Sequence, residues 1–115
     1  MPMLKIKTNL DASKFDEAFL KEMTTTMAGL VGKPEQYIAV IVSGGKTMSF
    51  GGSTEPCALV SFESIGGINE EKNSTYATAI FKALNAKGLK SDRIYISFAN
   101  LLRDNVAWNG KLFSQ

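Results

Sequence analysis

The chain has 115 residues, of which 44% are hydrophobic and 21% charged, and its formal net charge is +2. These values are typical of a globular protein of modest size, and we expect a single domain over residues 1–115. No stretch approaches the about 20 apolar residues that a bilayer-spanning helix needs. The lysines are scattered rather than arranged as a basic stripe with aromatic residues, so we expect neither nucleic-acid binding nor membrane insertion.

Histidine is absent, and Cys57 is the only cysteine. The first fact excludes a histidine base and histidine metal ligands, and we expect no metal site. The second excludes an internal disulfide, which fits a reducing compartment or a protein that works outside cells without oxidative folding. The segment 1–6 lacks the basic start and apolar run of a signal peptide. We therefore expect a cytoplasmic protein, one secreted without a signal peptide, or both.

The first half of the sequence predicts a β-α-β unit. The alternation over Leu4–Lys7 indicates a strand, Ser13 with Asp16 suggests a capping box, Gly32 is a natural helix stop, and the β-branched run Tyr37–Val42 indicates a second strand. The apolar residues that recur at helical spacing between the strands are Phe15, Phe19, Met23, Met27 and Leu30.

The second half repeats this order. Ala58–Phe62 predicts a strand, Asn69 can cap a helix that Gly88 ends, and Ile94–Phe98 predicts the closing strand. The buried stripe of this helix is predicted at Ala77, Ile80, Phe81 and Leu84. Two similar β-α-β units in series predict an α+β fold, with a four-stranded sheet and both helices on one of its faces.

The other face of this sheet has no cover within the chain. The strand predicted at Tyr37–Val42 is apolar on both faces, so a monomer would expose apolar surface there. We therefore expect a homo-oligomer. Near the C-terminus, Asn109-Gly110 between the apolar runs Val106–Trp108 and Lys111–Phe113 predicts a short hairpin. Its aromatic residues need a neighbouring subunit or a ligand pocket to pack against.

Pro2 is the residue with a chemical interpretation. Removal of Met1 would leave Pro2 with a free secondary amine at the start of a strand. An α-amino group titrates near about 7.7–8.0, and partial burial or a nearby lysine lowers its pKa toward the range that a general base needs. Position alone does not distinguish this role from an ordinary processed N-terminus.

A set of short motifs is shared with one known family. They are Met1-Pro2-Met3, Thr8-Asn9, Gly32-Lys33-Pro34, Gln36–Val40, Phe50–Ser53, Glu55–Leu59, Ser64-Ile65-Gly66, Asp92-Arg93 and the tail from Trp108 to Phe113. The chain resembles the macrophage migration inhibitory factor family of the tautomerase superfamily, from Pro2 to Phe113.

This resemblance implies a homotrimer with active sites between subunits. It implies a cofactor-free isomerase, a keto–enol tautomerase of the phenylpyruvate or dopachrome type, in which the Pro2 amine moves a proton between carbon and oxygen of a small aromatic keto acid. By the same resemblance Lys33 pairs with the substrate carboxylate and the backbone of Ile65 donates to it. The remaining implied substrate contacts are Tyr95 and Ser97 of the adjacent subunit and an apolar wall of Tyr37, Val106, Trp108 and Phe113.

The sequence departs from the pattern of the vertebrate members at two positions. Ser97 stands where those members carry Asn, and its shorter hydroxyl is expected to weaken the polar contact with a ring hydroxyl of the substrate. Val60 replaces the second cysteine of a Cys-x-x-Cys pair, so intramolecular dithiol–disulfide exchange is excluded. Cys57 is then expected to be a small buried apolar residue.

Three functions remain open from the sequence. The first is the tautomerase. The second is a secreted cytokine-like ligand of a cell-surface receptor, whose tautomerase pocket is vestigial or regulatory. The third is a trimeric scaffold in which Pro2 is incidental. The joint presence of Pro2, Lys33 and Tyr95 favours a competent pocket.

Overall fold

The structure is a computed structural model that describes all 115 residues. Its main elements in chain order are β1 (Met3–Thr8), α1 (Glu17–Val31), β2 (Ala39–Ser43), β3 (Ala58–Ser64), α2 (Glu70–Asn85), β4 (Ile94–Asn100), β5 (Ala107–Trp108) and β6 (Lys111–Leu112). The two predicted β-α-β units are therefore confirmed. Neither helix has the length and apolar character that a membrane-spanning segment requires.

The four long strands form one mixed sheet in the order β2-β1-β3-β4. Each β-α-β unit contributes a parallel pair, β1 with β2 and β3 with β4, and the antiparallel pairing of β1 with β3 joins the units. This arrangement gives the sheet an approximate twofold symmetry. The starts of β1 and β2 consequently lie at one end of the sheet, and the starts of β3 and β4 lie at the other.

Both helices pack on the same face of the sheet, as predicted. Alternate residues of β1 and β3 point into the core because successive side chains of a strand face opposite sides. The core cluster consists of Leu4, Ile6, Phe19, Met23, Met27, Val31, Ala58, Val60, Phe62, Tyr76, Ile80, Leu84, Leu89 and Ile94. Cys57 is fully buried and unpaired, in agreement with its predicted apolar role.

The opposite face of the sheet, formed by the other alternate residues, is open. Ile41 is 54% exposed, Leu59 47% and Tyr95 69%. Lys5 and Glu63 form an ion pair of 3.1 Å on the same face. The predicted uncovered face is thus confirmed in the single chain, while the trimer that would cover it remains a prediction.

Several predicted boundaries were wrong. Ser13 does not cap α1, because the carboxylate of Asp16 is itself the N-cap and accepts from the amide of Phe19 at 2.9 Å. Ser13 instead lies in a 3-10 turn, Ala12–Lys14, whose own cap is Asp11. Serine and aspartate are both common N-cap residues, so the sequence does not decide between Ser13 and Asp16. The short 3-10 turn before α1 also has no periodic pattern of apolar residues from which it could be predicted.

The other differences concern element ends. Tyr37 belongs to a 3-10 turn, Glu35–Tyr37, so β2 begins at Ala39 rather than at Tyr37. The helix α2 ends at Asn85 and not at Gly88, although Gly88 adopts φ +94° in the turn beyond it. Tyr76 was missing from the predicted stripe of α2. It is fully buried, and its hydroxyl donates to the carbonyl of Gly67 at 2.6 Å.

The predicted stops and turns were otherwise confirmed. Gly32 ends α1 in the left-handed conformation with φ +72°, and Asn69 caps α2 by accepting from the amide of Lys72. Asn109 and Gly110 both have positive φ, 52° and 85°, and connect β5 to β6 as a tight hairpin. Positive φ at both central residues is the geometry that an Asn-Gly turn favours.

Candidate active site

The start of β1 is the place where the predicted site residues gather. In the register of the sheet Met3 lies beside Ala39 of β2 and opposite Glu63 of β3, so the segments after Glu63 and before Ala39 reach the same end. The carbonyl of Pro2 accepts from the amide of Ala39 at 3.1 Å, which extends the pairing to Pro2. We call this end of the sheet, with Pro2, Lys33, Tyr37 and Ile65, the amine end.

Pro2 is one of the fully buried side chains of the protein. The α-amino group of the chain, which here belongs to Met1, therefore lies against a buried strand start and next to Lys33. Its pKa is lowered from 8.0 to about 5, first by desolvation and then by a hydrogen bond and the positive charge of Lys33. All three causes act against the charged form of the amine. An amine in this place is neutral at physiological pH.

Lys33 reaches the amine end because α1 stops at Gly32. The amides of Gly32 and Lys33 both donate to the carbonyl of Ala28, which closes the helix and turns the chain toward the sheet. The Lys33 ammonium then donates to the carbonyl of Ile65 at 2.5 Å. A lysine ammonium has three donors, so this contact leaves two for other partners. The amine end thus holds a cation whose position is fixed by the backbone of the segment after β3.

An aromatic cluster adjoins this end. Tyr37 ends the 3-10 turn before β2 and meets Trp108 edge to face, with 5.2 Å between ring centroids. Trp108 in turn stacks on Phe113 at 6.2 Å. The amide of Phe113 donates to the carbonyl of Val106 at 3.0 Å, so all four predicted wall residues lie together. Trp108 remains 48% exposed, which leaves apolar surface available to a ligand or to another subunit.

Tyr95 and Ser97 are the two predicted site residues that the single chain does not bring to the amine end. Tyr95 lies near the start of β4, beside Leu59 near the start of β3, and therefore toward the far end of the sheet. Ser97 pairs with Ser61 in the middle of the sheet, and its hydroxyl lies 3.5 Å from the carbonyl of Val60. A site that contains them together with Pro2 must be assembled from more than one chain.

The far end of the sheet contains contacts that sequence patterns missed. Phe50 packs against Tyr95 with 4.7 Å between ring centroids, and the guanidinium of Arg93 lies over Phe50 at 5.4 Å. Phe50 and Arg93 belong to shared motifs, but no periodicity connects a loop residue with a strand so distant in sequence. Their contact depends on the pairing of β3 with β4.

A groove on the helical side of the protein is separate from these residues. A groove of about 610 Å³ lies between the helices, on the opposite side of the sheet from the open face, and Phe19, Met23 and Ala83 contribute to its lining. None of the predicted site residues lines it. No group of three or more His, Cys, Asp or Glu side chains is placed to hold a metal ion.

The protein is thus a small α+β protein built from two β-α-β units. Its candidate site contains a desolvated chain-terminal amine, a lysine and an aromatic cluster. The chain matches the family model described as macrophage migration inhibitory factor over residues 1–114. It is 42% identical to the macrophage migration inhibitory factor of Meriones unguiculatus, with 99% of this chain and 100% of that protein covered. The homologue from Trichinella spiralis is 38% identical, with coverage of 98% and 100%.

Solved structures agree. The structure of the Trichinella spiralis factor superposes with a TM-score of 0.91 at 36% identity, covering 96% of this chain and 98% of that one. The homologue from Prochlorococcus marinus has a TM-score of 0.90 at 29% identity, with the same coverage of 96% and 98%. The chain belongs to the macrophage migration inhibitory factor family, which is part of the tautomerase superfamily.

Proposed function

We propose that the protein is a cofactor-free keto–enol tautomerase of phenylpyruvate-like acids, with the Pro2 amine as its general base after removal of Met1. One observation carries this proposal. The terminal amine lies at a buried strand start beside Lys33, and its pKa is lowered to about 5. Without Met1, the amine would belong to Pro2 itself, which is more deeply buried than Met1. We expect burial and the neighbouring Lys33 to act on the Pro2 amine in the same direction.

The reaction needs one group that exchanges a proton with carbon. From the keto form, the neutral Pro2 amine removes a proton from the carbon next to the carbonyl, while the carbonyl oxygen gains a proton from water and becomes the enol hydroxyl. The Pro2 ammonium then releases its proton to water. The reverse direction returns the proton from the Pro2 ammonium to carbon as the enol hydroxyl loses its own. The total number of protons is unchanged, so no cofactor is required. An amine with a lowered pKa is suited to both directions, because its neutral form is available to accept a proton and its ammonium form readily donates one.

Lys33 is proposed to bind the substrate carboxylate. Its ammonium is held by the Ile65 carbonyl and retains donors for an anion. Its positive charge serves twice, since it attracts the carboxylate and disfavours the protonated form of the Pro2 amine. The proposed role of the Ile65 backbone as a donor to the same carboxylate would place both contacts at the amine end.

The aromatic cluster of Tyr37, Trp108 and Phe113, with Val106, is proposed as the apolar wall for the substrate ring. Tyr95 and Ser97 are proposed to reach the site from an adjacent subunit of a homotrimer. Their location away from the amine end supports this arrangement, because one chain cannot supply them to its own Pro2. The exposed residues of the open face support an interface there.

The deciding experiment follows the enol-to-keto conversion of phenylpyruvate by absorbance, for the wild type and Pro2→Gly. We expect kcat/KM of Pro2→Gly to fall by about 10²-fold, which is within the range of general-base contributions. Lys21→Ala, which changes an exposed side chain in the first half of α1, is the control and should keep near wild-type activity. Mass spectrometry must establish that Met1 is absent, because a retained Met1 makes the Pro2 nitrogen a non-basic amide. Equal activity of Pro2→Gly and wild type would refute the assignment of the base.

A second candidate function is that of a secreted, cytokine-like ligand for a cell-surface receptor. The observation that favours it is the name shared by the relatives, which describes inhibition of macrophage migration. Receptor-dependent cell migration measured with wild type and Pro2→Gly separates the two functions. Retained migration inhibition by the tautomerase-deficient variant would support a ligand role that does not use the catalytic chemistry.

A further inference from the structure

The loop before β3 and the turn before β4 meet at the far end of the sheet. The strands β3 and β4 are parallel, with Ala58 beside Ile94, so the segments that precede them enter the sheet at the same end. The turn before β4 ends with Arg93, and Tyr95 follows two residues later. The loop before β3 contains Phe50. Strand pairing therefore places Arg93, Phe50 and Tyr95 next to one another.

Arg93 binds this loop through its whole guanidinium group. It donates to the carbonyls of Phe50 at 2.7 Å, Ser53 at 3.0 Å, Glu55 at 2.8 Å and Pro56 at 3.2 Å. No carboxylate lies within ion-pair distance of it. A planar group with five donors can satisfy several carbonyls at once, which a lysine ammonium does less well. Arg93 thus fixes the loop by hydrogen bonds rather than by an ion pair.

Phe50 connects the loop that Arg93 binds to Tyr95. Phe50 and Ser53 exchange two backbone hydrogen bonds, of 2.9 and 3.1 Å, around Gly51 and Gly52, which both have positive φ. The Phe50 ring contacts both the Arg93 guanidinium, 5.4 Å away, and the Tyr95 ring, 4.7 Å away. Tyr95 is 69% exposed and has no other aromatic neighbour within the chain. Phe50 is therefore the aromatic neighbour against which the Tyr95 ring packs within the chain.

Asn9 also binds this loop. Its side-chain amide donates to the carbonyls of Thr54 and Glu55 at 3.0 and 3.2 Å, and its side-chain oxygen accepts from Cys57 at 2.9 Å. These contacts do not include Phe50. The loop consequently has two anchors, of which only Arg93 touches the Phe50–Tyr95 pair.

From these contacts we propose that Arg93 is a positioning residue for the active site: it holds Phe50 against Tyr95 and so sets the orientation in which Tyr95 meets the substrate ring of the adjacent subunit. This inference rests on the proposed function for the role of Tyr95. The arrangement of Arg93, Phe50 and Tyr95 itself is independent of any activity.

The first test is structural and uses wild-type protein labelled with ¹³C in its tyrosine rings. The chain has three tyrosines, and Tyr95→Phe identifies the Tyr95 signal by its loss. We expect Arg93→Ala and Phe50→Leu to shift the Tyr95 ring resonances, because Tyr95 loses the ring current of a fixed Phe50. The Tyr76 resonances, from the core, should stay in place and report that the fold is intact.

Asn9→Ala is the matched control, since it removes three hydrogen bonds from the same loop without touching Phe50. We expect it to leave the Tyr95 signal near the wild-type position. Arg93→Lys keeps a cation beside Phe50 but loses the planar guanidinium with its several donors. Its Tyr95 resonances should therefore lie between those of the wild type and those of Arg93→Ala. A Tyr95 signal that is unmoved in Arg93→Ala, or moved as far in Asn9→Ala, would overturn the proposal.

The second test is kinetic. We expect Arg93→Ala to raise KM for phenylpyruvate roughly three- to tenfold, the scale of one aromatic contact, and to leave the pH dependence governed by the Pro2 amine unchanged. Arg93→Ala in the Phe50→Leu background should add little further. A shifted Tyr95 signal with unchanged KM would overturn the active-site role of Arg93. Inactivity of the wild type would refute the proposed function instead, while the resonance test of the Arg93–Phe50–Tyr95 arrangement would stand.

Discussion

The two β-α-β halves share one framework and differ in what stands at their strand starts. In the first half β1 is preceded by Pro2, with the chain end and Lys33 beside it. In the second half β3 is preceded by Cys57, which is fully buried, and the segment after α2 contributes the buried Leu89 to the core. The first strand start therefore has the chain-terminal amine and Lys33 beside it. The second is filled by the buried side chains of Cys57 and Leu89, and its cation, Arg93, is bound to loop carbonyls.

The turn before the last strand of each half differs in the same way. Tyr37 ends the turn before β2 and joins the aromatic cluster, while Arg93 ends the turn before β4 and binds loop carbonyls. In the second half, β3 is preceded by a loop whose carbonyls accept hydrogen bonds from Arg93. The Tyr37 ring packs instead on Trp108, whose ring remains partly exposed. Two halves with the same β-α-β framework thus differ in the groups that lie at their strand starts.

The largest expected effect concerns what the halves share. Met27 of α1 and Ile80 of α2 are both fully buried in one core cluster. We expect Met27→Ala and Ile80→Ala each to lower the free energy of unfolding by about 2–5 kcal/mol, because each leaves a cavity. Urea titration at fixed protein concentration measures this. Lys21→Ala, on the exposed side of α1, should change it by less than about 0.5 kcal/mol. Separate unfolding of the two halves would contradict a single shared core.

The next effect distinguishes the two ends of the sheet. We expect Lys33→Ala to raise KM for phenylpyruvate by about tenfold or more, the loss of a charge-assisted contact to a carboxylate. Lys90→Ala, a lysine at the corresponding turn of the second half, should leave KM unchanged. Steady-state kinetics at constant ionic strength check both. An equal rise in the two variants would mean that general electrostatic attraction, and not the amine end, binds the substrate.

The pH dependence sharpens the same contrast. An amine with a lowered pKa stays neutral, and active as a base, until the pH falls below that pKa. The acid limb of kcat/KM should therefore lie below the ordinary value of about 7.7–8.0 for an α-amino group. Lys33→Ala removes the hydrogen bond and the positive charge that help to lower the pKa. The acid limb should therefore move to higher pH but stay below the ordinary value, since desolvation is the largest cause. A limb that stays in place in Lys33→Ala would contradict the coupling.

The smallest effect concerns a contact found only in the second half. Burial raises the pKa of the Tyr76 hydroxyl, which donates to the carbonyl of Gly67 at 2.6 Å. We expect Tyr76→Phe to cost about 1 kcal/mol of unfolding free energy. Because the pKa is higher in the folded state, the unfolded chain loses this proton first, and wild-type stability should fall as the pH rises above about 10. Denaturation at pH 7 and pH 10.5 should show a smaller difference between variant and wild type at the higher pH.

The candidate site was predictable to different degrees. Pro2, Lys33 and Ile65 could be named from shared motifs, and the sheet register brings their segments together at one end. The placement of Tyr95 and Ser97 away from that end required the pairing of β4 with β3. The link from Arg93 through Phe50 to Tyr95 was not predictable, because contacts between loops leave no periodic signal.

The sequence by itself determined the α+β class, the two β-α-β units, the left-handed stop at Gly32 and the Asn109-Gly110 hairpin, since hydrophobic period and glycine or asparagine backbone freedom are local properties. It also predicted the open face of the sheet. The tertiary structure decided where the elements end, that Tyr76 belongs to the core, and that the chain-terminal amine is desolvated beside Lys33. Burial and charge proximity depend on segments far apart in the sequence, and only the folded chain brings those segments together.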